Sequence, residues 1–462
     1  MRRRLENMLG AAALFVTLLV TYRLVINPVY DYYGMGWKES NEIVLVVALL
    51  MNMSIAFVAS PAFTRPSQAF FAVQFLIVFL PASIVCPNTT LPDIPASDVM
   101  YMLLAMYVGL LMQALVHLVS ARRHRGLRRG RFDRATVFRA MAAFALVTLA
   151  LSFYTLRDIF SISALDSIYA QRDLLDDQSL GAAYRYGLSW LNVLLLPTLF
   201  IGALKLERRA RLIGIVACVL GYVVLFGLTA TKTSLLAPLI IAGFYALLKP
   251  RRLSYLTVFP IFLSLLLIIP LAMAPFESLA GVNFIYTGMV NFRIFSVPHI
   301  LYVQYLDFFQ NHPLTHGSHI SIINQIVAYP FDAPVFLLVG EEFYPGSNMT
   351  ANVGMWGQDG IASFGIAGIL IVSVLFTAAM AVLDKAAEGH EPRSVGAILS
   401  MMTLFIANAS LFTTLVTGGL LLAIVLLRVT KRAAVPGTRR ARAWTRARRP
   451  TENPPGLHEL PA

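Results

Sequence analysis

Four basic residues stand in short polar or aromatic stretches between strongly apolar segments, where each could bind an anion. They are Arg172 in IYAQRDLLDD, Arg185 in AAYRYG, Lys232 in TATKTS and Arg293 in NFRIFSVP. A guanidinium presents a planar fork of donors that matches a phosphate or a carboxylate. A salt bridge to a carboxylate of the same loop is the alternative for each arginine, and it is strongest for Arg172, which three aspartates follow closely.

Lys232 lies in a turn that also begins an apolar segment. Its neighbours Thr231, Thr233 and Ser234 are residue types that cap the N-termini of helices. A helix N-terminus directs free N–H groups and the positive end of the helix dipole at its surroundings, which favours an anion. The ammonium group beside it predicts a compact phosphate site, and a lysine that snorkels from the membrane to water is the alternative.

Four histidines, His299, His312, His316 and His319, lie close together in the sequence. An HxxxHxxH spacing on a helix could hold a metal ion. Here the stretch NHPLTHGSH contains a proline and a glycine, and no cysteine or carboxylate is interleaved. We therefore expect no metal, and favour one histidine acting as a hydrogen-bond partner or a base.

The sequence lacks the common motifs of soluble enzymes. It contains no GxxxxGK[ST], no GxSxG, no HExxH and no paired CxxC. We therefore expect no nucleotide, redox cofactor or metal.

The composition decides which elements must hold these residues. Of 462 residues, 58% are hydrophobic and only 13% are charged, and the mean hydropathy is +0.70. Soluble domains are about 45–50% apolar and about 25% charged, so a water-soluble enzyme and a disordered chain are both excluded.

Apolar runs long enough to cross a bilayer as helices recur along the chain, since about 20 residues are needed for each crossing. The sequence predicts an all-α polytopic membrane protein with about twelve transmembrane helices, the first of them uncleaved. The predicted segments are 8–28, 42–60, 68–86, 99–120, 137–155, 186–204, 212–230, 231–248, 254–274, 361–384, 396–412 and 414–429.

The basic residues predict the orientation of these helices. The net charge is +13, and most of the 37 Lys and Arg lie in the connections 121–134, 205–211 and 249–252 and in the tail from Arg428. With twelve helices these connections fall on one side, which the positive-inside rule makes cytoplasmic, together with both termini. We expect the basic tail, 431–462, to be disordered and to meet anionic lipid headgroups rather than nucleic acid.

Two connections on the opposite side, 156–185 and 275–360, are too long to be simple turns. We treat residues 1–430 as one transmembrane domain that carries both external loops. In the larger loop Val297, Leu301, Tyr305 and Phe308 recur at helical spacing, which predicts a short helix near the membrane interface. The apolar stretch Ile320–Tyr329 could form another.

The second half of the chain resembles the bacterial O-antigen polymerases, the Wzy-type repeat-unit polymerases. The likeness rests on RIFSVPHILYVQYLDFFQNHPLTHGSHIS followed by ANVGMWGQDGIASFGIAGILI, and covers about residues 160–430. An Arg opens such stretches, a Tyr and Phe-Phe follow, and an Asn-containing segment leads into a Phe-Gly-x-x-Gly helix start. The matching positions are Arg293, Tyr305, Phe308, Phe309, Asn352, Phe364, Gly365 and Gly368. Lys232 stands where relatives often have Arg.

The resemblance implies a GT-C-like fold in the bacterial inner membrane, with an active site that faces the periplasm. The implied reaction moves a growing glycan from undecaprenyl pyrophosphate to a lipid-linked repeat unit, without metal or nucleotide. The implied partners are this lipid-linked oligosaccharide, membrane lipids and a chain-length regulator, and not nucleic acid.

The resemblance also suggests roles for the candidate residues. Arg293 and Arg172 would stabilise the departing pyrophosphate, which Lys232, Arg185, Thr231 and Thr233 would help to bind. The acceptor hydroxyl needs a base, for which His299, His316 and Asp359 are candidates. Tyr305 and Asn352 would contact sugars, although burial of the loop aromatics Tyr302, Tyr305, Phe308 and Phe309 is the favoured interpretation.

Three other functions stay open from the sequence. An O-antigen ligase would share the topology and the external cations but use another acceptor. A metal-dependent glycosyltransferase would depend on Asp31 in VYDYYG. A flippase or transporter of lipid-linked sugars would place ionisable groups and broken helices near the middle of the membrane.

Overall fold

The computed structural model describes residues 1–119, 130–161, 171, 175, 181–250, 252–279, 288–347 and 349–430. Within these ranges the regular elements are all helical, and the strand-like pairing is a single isolated bridge between Phe132 and Thr430. The prediction of an all-α protein is therefore confirmed for this part of the chain.

Eight helical stretches of the described chain are long and apolar enough to cross a membrane, and each covers one of the predicted segments. Several contain a π-helical turn, at Tyr22–Ile26, Gln74–Phe79, Leu191–Leu195 and Trp356–Ile361. The eight are Arg2–Tyr33, Ser67–Asn88, Ala96–His117, Arg134–Ile159, Ala183–Leu204, Arg208–Thr229, Trp356–Ala387 and Leu411–Val429.

Two further predicted segments are shorter apolar helices, Glu42–Val58 and Lys232–Leu247. The predicted segment 254–274 corresponds to most of the 25-residue helix Tyr255–Leu279. The predicted helix 396–412 is wrong. The chain there forms two short helices, Pro392–Ile398 and Ser400–Phe405, and then a turn that leads to Ser410.

The first helix packs lengthwise between Glu42–Val58 and Tyr255–Leu279. Gly10 allows this approach, because a Cβ there would lie 3.3 Å from the backbone Cα of Thr257. Beside it, the Thr257 hydroxyl donates to the side-chain oxygen of Asn7 at 3.3 Å. A small residue and a buried polar pair thus fix the contact between helices that are otherwise apolar.

The basic connections meet at one end of the helix bundle, which we call the basic end. Lys205 pairs with Glu391 at 2.8 Å, and the Arg393 guanidinium donates to the carbonyl oxygen of Tyr245 at 2.6 Å. Arg134 donates to the carbonyl oxygen of Gly389 at 3.3 Å, close to the Phe132–Thr430 bridge. We call the opposite end the outer end, after the orientation that these connections predict.

The helix predicted in the large loop is present at Val297–Asn311, but its environment differs from the prediction. It is buried on nearly all sides, against Leu80–Asn88 and the π-helical turn Trp356–Ile361, instead of lying at the interface. Apolar residues of several types around its circumference, such as Ile300, Val303 and Leu306 beside the aromatics, account for this burial.

The second predicted loop helix, Ile320–Tyr329, is wrong. The chain there forms turns and one short 3₁₀ segment, Ile323–Gln325. Ile322 and Ile326 are 74% and 87% exposed. These apolar side chains therefore extend from the outer end of the bundle.

The stretch Trp356–Ala387 is a helical hairpin and not one continuous rod. Phe364 and Gly365 have non-helical backbone angles, with φ +60° and ψ −147° at Gly365. The indole N–H of Trp356 donates to the Ser373 hydroxyl at 2.9 Å, whereas a straight helix would separate residues 17 apart by about 25 Å. The chain therefore reverses at 364–365, and the predicted helix 361–384 begins only after this turn.

The hairpin explains why the Phe-Gly-x-x-Gly motif contains two glycines. Gly365 occupies a backbone region that is essentially open only to glycine. A Cβ at Gly368 would overlap the carbonyl oxygen of Gly360 on the other arm. Gly365 allows the chain to reverse its direction, and Gly368 allows the two arms of the hairpin to pack closely.

Candidate functional site

The hairpin holds one carboxylate in the interior of the protein. Asp359 is 2% exposed and lies in the π-helical turn Trp356–Ile361. Its Oδ1 accepts a hydrogen bond from the Ser410 hydroxyl, and its Oδ2 accepts one from the backbone N–H of Leu411, both at 2.5 Å. Burial of an ionised carboxylate is costly unless it is hydrogen-bonded, and these donors compensate for that cost.

A histidine completes the surroundings of this carboxylate. His319 Nε2 lies 3.2 Å from Asp359 Oδ1, and its Nδ1 lies 3.1 Å from the Thr315 hydroxyl. The imidazole is 13% exposed, against 1% for the Asp359 side chain. The histidine can therefore be reached from the outer surface, whereas the carboxylate behind it cannot.

The Thr315 hydroxyl connects His319 to the hairpin. It donates its proton to the Ala362 carbonyl oxygen at 2.9 Å, and its oxygen lies 3.1 Å from His319 Nδ1. The imidazole is thus held between this hydroxyl and the Asp359 carboxylate.

A tight turn brings His319 to the hairpin. His316 and Gly317 both have positive φ, +50° and +81°, which reverses the chain after the buried helix. The backbone N–H of Thr315 donates to the Ala362 carbonyl oxygen at 2.8 Å. Gly317 is the residue type that adopts this conformation without strain, so the GSH sequence suits the turn.

The other histidines of the loop have different surroundings. His299 is 1% exposed, and its Nε2 lies 2.8 Å from the Ile77 carbonyl oxygen. Burial lowers the pKa of His299 to about 4, although the Ile77 and Phe295 carbonyl groups oppose the shift. His312 pairs with Glu342 at 2.9 Å, and the exposed His316 packs on Phe364, with ring centroids 5.9 Å apart.

The base suggested by the sequence is therefore only partly matched by the structure. Of the three candidates for the base, Asp359 lies in a buried polar site, and it is paired there with His319, which the sequence did not select. His299 is enclosed in the core, which excludes direct contact with a substrate in this conformation. His319 and Asp359 are forty positions apart, so their spacing in the sequence did not indicate that they pair.

Arg293 lies beside an aromatic cluster at the outer end. Its side chain is exposed, and the guanidinium carbon lies 5.9 Å from the centroid of Phe292. Phe292 stacks on Tyr30 with ring centroids 4.0 Å apart and meets Tyr33 edge-on at 5.1 Å. The cluster joins the end of the first helix to the start of the large loop, and fixes the backbone from which Arg293 extends.

The two residues proposed to contact sugars differ in accessibility. Tyr305 is fully buried, and its hydroxyl donates to the Ala351 carbonyl oxygen at 3.0 Å. Burial raises the pKa of Tyr305 well above its usual range. Stacking on a sugar requires an open ring face, which Tyr305 does not present, whereas Asn352 is exposed. The favoured interpretation, burial of the loop aromatics, agrees with this structure.

The turn around Lys232 has the helix start that the sequence predicted, with one difference. Thr231 precedes the helix Lys232–Leu247 at its N-cap, but its hydroxyl donates to the Thr229 carbonyl oxygen, 3.2 Å away, and does not cap the helix. Ala230 takes a left-handed conformation, φ +51°, which sharpens the turn. Thr233 is exposed and Lys232 is half-buried at the same helix start.

Gln171, in the shorter external loop, forms hydrogen bonds with backbone groups close to this turn. Its side-chain amide donates to the Gly227 carbonyl oxygen at 2.5 Å and lies 3.3 Å from the Ile159 and Ser161 carbonyl oxygens. Gly227 is five residues before Lys232. Arg172, which follows Gln171 in the sequence, lies outside the described residues.

The remaining outer cations are readily placed. Arg185 is exposed on the helix Ala182–Trp190, whose chain continues to Lys205 at the basic end. Arg157 pairs with the adjacent Asp158 at 3.6 Å. Arg185, Lys232 and Arg293 thus share the outer end with Asp359, on four different elements.

Within the described residues, no group of three or more His, Cys, Asp and Glu could hold a metal ion. Asp31 begins a short 3₁₀ segment, Asp31–Tyr33, and is exposed.

Comparison with known proteins gives no relative: no family model, no curated protein and no solved structure matches the chain.

Proposed function

We propose that this protein is a polysaccharide polymerase that transfers a growing glycan from undecaprenyl pyrophosphate to a lipid-linked repeat unit at the outer face of the bacterial inner membrane. The observation that carries the proposal is the His319–Asp359 pair, which lies at the outer end together with three cations. A glycosyl transfer from a pyrophosphate needs a base for the acceptor and positive charge for the leaving group, and this end supplies both.

The base in this proposal is His319. Asp359 accepts the Nε2–H bond, which fixes the tautomer and stabilises the imidazolium that forms. The acceptor sugar hydroxyl gives its proton to the imidazole of His319. As the new bond forms between this oxygen and the anomeric carbon, the bond from that carbon to the pyrophosphate oxygen breaks, through an oxocarbenium-like state.

The leaving group in this proposal is undecaprenyl pyrophosphate. It takes the electron pair of the broken bond, and its added charge is stabilised by Arg293, Arg185, Lys232 and, from the sequence, Arg172. The proton on His319 then passes to water or to the released pyrophosphate, which restores the neutral base. The step consumes no nucleotide, because the energy lies in the sugar–pyrophosphate bond.

Reconstitution tests the proposal directly. The protein in liposomes, supplied with undecaprenyl-pyrophosphate repeat units and a metal chelator, should form a ladder of glycans. His319→Gln should abolish the ladder, whereas the exposed His312→Gln should retain it. No ladder from the parent protein, or an unchanged ladder from His319→Gln, would refute the proposed chemistry. An O-antigen ligase would instead move glycan to lipid A core, so offering both acceptors separates the two enzymes.

A transporter of lipid-linked sugars is the second candidate, and one observation favours it. The chain from Pro392 to Val429 is a series of short helices, interrupted near Leu399, at 406–410 and at 416–419, and one interruption meets the buried Asp359. Broken helices around a buried ionisable group are typical of transport sites. Cells that lack a transporter would retain repeat units inside, whereas cells that lack a polymerase would display single units outside.

A further inference from the structure

The turn that follows His319 exposes two isoleucines. Ile322 and Ile326 are 74% and 87% exposed. An isoleucine that faces water forgoes the free energy that burial of its side chain would provide. Single exposed apolar residues are common on protein surfaces, but two that share one short turn indicate contact with another apolar surface.

Backbone hydrogen bonds fix the direction of these two side chains. The N–H groups of Ile326 and Val327 both donate to the Ile323 carbonyl oxygen at 2.9 Å, which makes one helical turn. Ile322 and Ile326 are four positions apart, and residues at this spacing lie on the same side of such a turn. The half-buried Ile323 lies against Gly317 instead, with its Cδ1 3.2 Å from the position that a Cβ of Gly317 would occupy.

The segment around the two isoleucines carries no formal charge. No Asp, Glu, Lys or Arg occurs in residues 320–331, between His319 and Asp332. Charged side chains are costly in hydrocarbon, whereas uncharged and aromatic ones are tolerated at its edge. Tyr329 is half-buried in the same segment, and its hydroxyl donates to the Ala333 carbonyl oxygen at 3.0 Å. The composition of the segment therefore suits the boundary between lipid and water.

The turn lies beside an exposed apolar surface of the helical hairpin. His316 packs on Phe364, which is 43% exposed at the reversal of the hairpin. From Phe364 to Val382 every exposed residue of the long arm is apolar, with Leu370, Ile371, Val374 and Leu375 among them. In a helix that crosses a membrane, such a surface faces the acyl chains. The turn with Ile322 and Ile326 thus continues a lipid-facing surface at its outer end.

We propose that Ile322 and Ile326 insert into the acyl chains of the membrane leaflet at the outer end, and that this turn anchors the large loop to the lipid. Two observations favour lipid over a protein partner, namely the continuity with the surface that begins at Phe364 and the lack of charge in residues 320–331. His319 lies three residues before Ile322, so the anchor holds its accessible imidazole close to the membrane surface. Insertion does not depend on the proposed polymerase activity.

Fluorescence measurements of depth on the full chain in liposomes test this proposal. Ile322→Cys and Ile326→Cys are each labelled with an environment-sensitive fluorophore, and the parent, whose Cys86 and Cys218 are buried, gives the background. The liposomes contain phosphatidylcholine and phosphatidylglycerol, with a nitroxide either near the top or at the end of one acyl chain. Interfacial segments insert about 5–10 Å into the boundary between headgroups and acyl chains, so the emission should shift to the blue and be quenched most by the upper nitroxide.

Aqueous iodide, present on both sides of the membrane, supplies the opposite test. Ser347→Cys is the matched control, because Ser347 is exposed in the same loop beside a carboxylate: Glu341 Oε1 accepts the backbone N–H of Gly346 at 3.2 Å. Its label should be quenched by iodide and by neither lipid, whereas iodide should have little effect on Ile326→Cys. Equal quenching of the two variants by iodide would place the turn in water and overturn the proposal. Protection of Ile326→Cys from both iodide and the nitroxide lipids would show a protein cover, a second copy or another partner, and would overturn it as well.

Discussion

His319 Nε2 lies 3.2 Å from Asp359 Oδ1, although the two residues are forty positions apart, one after a tight turn and the other in a π-helical turn. The Asp359 carboxylate is buried, whereas the His319 imidazole is partly exposed, so only the histidine of the pair is accessible. An amide in place of the carboxylate removes its charge and also sets an NH2 donor against one of the groups that donate to Asp359. Asp359→Asn is therefore measured for thermal unfolding as well as for rate, which separates the electrostatic role of Asp359 from its structural one.

We expect Asp359→Asn to lower kcat by about 10²- to 10⁴-fold, because a base that loses its orienting anion loses most of its contribution. Glycan ladders from liposomes measure this rate. His312→Gln, an exposed histidine paired with Glu342, serves as the control. A rate within twofold of the parent for Asp359→Asn would mean that His319 is not the base.

The outer arginines are expected to act on the leaving group. Arg293→Ala and Arg172→Ala should each lose long-chain polysaccharide while the protein still inserts into the membrane, because each removes positive charge from the departing pyrophosphate. Chain length on gels and membrane abundance on blots measure the two effects. Arg157→Ala, whose side chain pairs with Asp158, should leave chain length unchanged. Normal chain length in both variants would remove the proposed anion site.

Lys232 tests whether the Thr229–Ser234 turn binds the pyrophosphate. Lys232→Ala should raise KM about tenfold with a smaller effect on kcat, since it removes a charge that holds the ground state as well as the transition state. Lys232→Arg should restore KM because it keeps a cation at the helix start. Lys385→Ala, near the basic end, is the control. An unchanged KM in Lys232→Ala would assign this lysine to interfacial anchoring.

Gly365 tests the reversal of the hairpin. Gly365→Ala should destabilise the protein by about 1–3 kcal/mol, because the backbone angles at this position strain any residue with a Cβ. No atom lies within 4 Å of the added methyl group, so the strain arises in the backbone alone. Gly181→Ala, which also meets open space but has a negative φ, is the matched control for thermal unfolding in detergent. Equal Tm values in the two variants would contradict the reversal.

His299 should make stability depend on pH. Burial lowers its pKa from 6.5 to about 4, so the unfolded chain binds the proton more readily than the folded one. The stability it contributes is complete above pH 6.5 and falls by about 3 kcal/mol as the pH drops from 6.5 to 4. Thermal unfolding of His299→Gln should lose this pH dependence, whereas the exposed His316→Gln should retain it. Parallel curves for His299→Gln and the parent would show that another group titrates.

The helices could be predicted from the sequence wherever apolar residues continued for a full crossing. The predicted helix 396–412 failed because Ser410 begins a new helix, with its side chain accepting the backbone N–H groups of Phe412 and Thr413 as an N-cap. The hairpin could not be predicted from hydropathy, because Phe364 and Gly365 break the helix through their backbone angles while the sequence there stays apolar.

The candidate site was predictable only where partners are close in sequence. Arg157 and Asp158, for example, are adjacent in the sequence and form an ion pair in the structure. Asp359 could be selected as a lone carboxylate near a glycine motif, but its partners Ser410 and His319 approach it only through the folding of distant segments. The burial of Tyr305 was the favoured interpretation, and the structure agrees with it.

The contact between Asp359 and the Ser410–Leu411 segment has a consequence for the biogenesis of the protein. Ribosomes and translocons deliver the chain from its N-terminus, so Asp359 enters the membrane before two of its hydrogen-bond donors exist. Its carboxylate acquires the Ser410 hydroxyl and the Leu411 N–H only when the last pair of short helices is inserted. Nascent or truncated chains that end before Ser410 therefore lack the completed site, and its assembly marks the end of maturation.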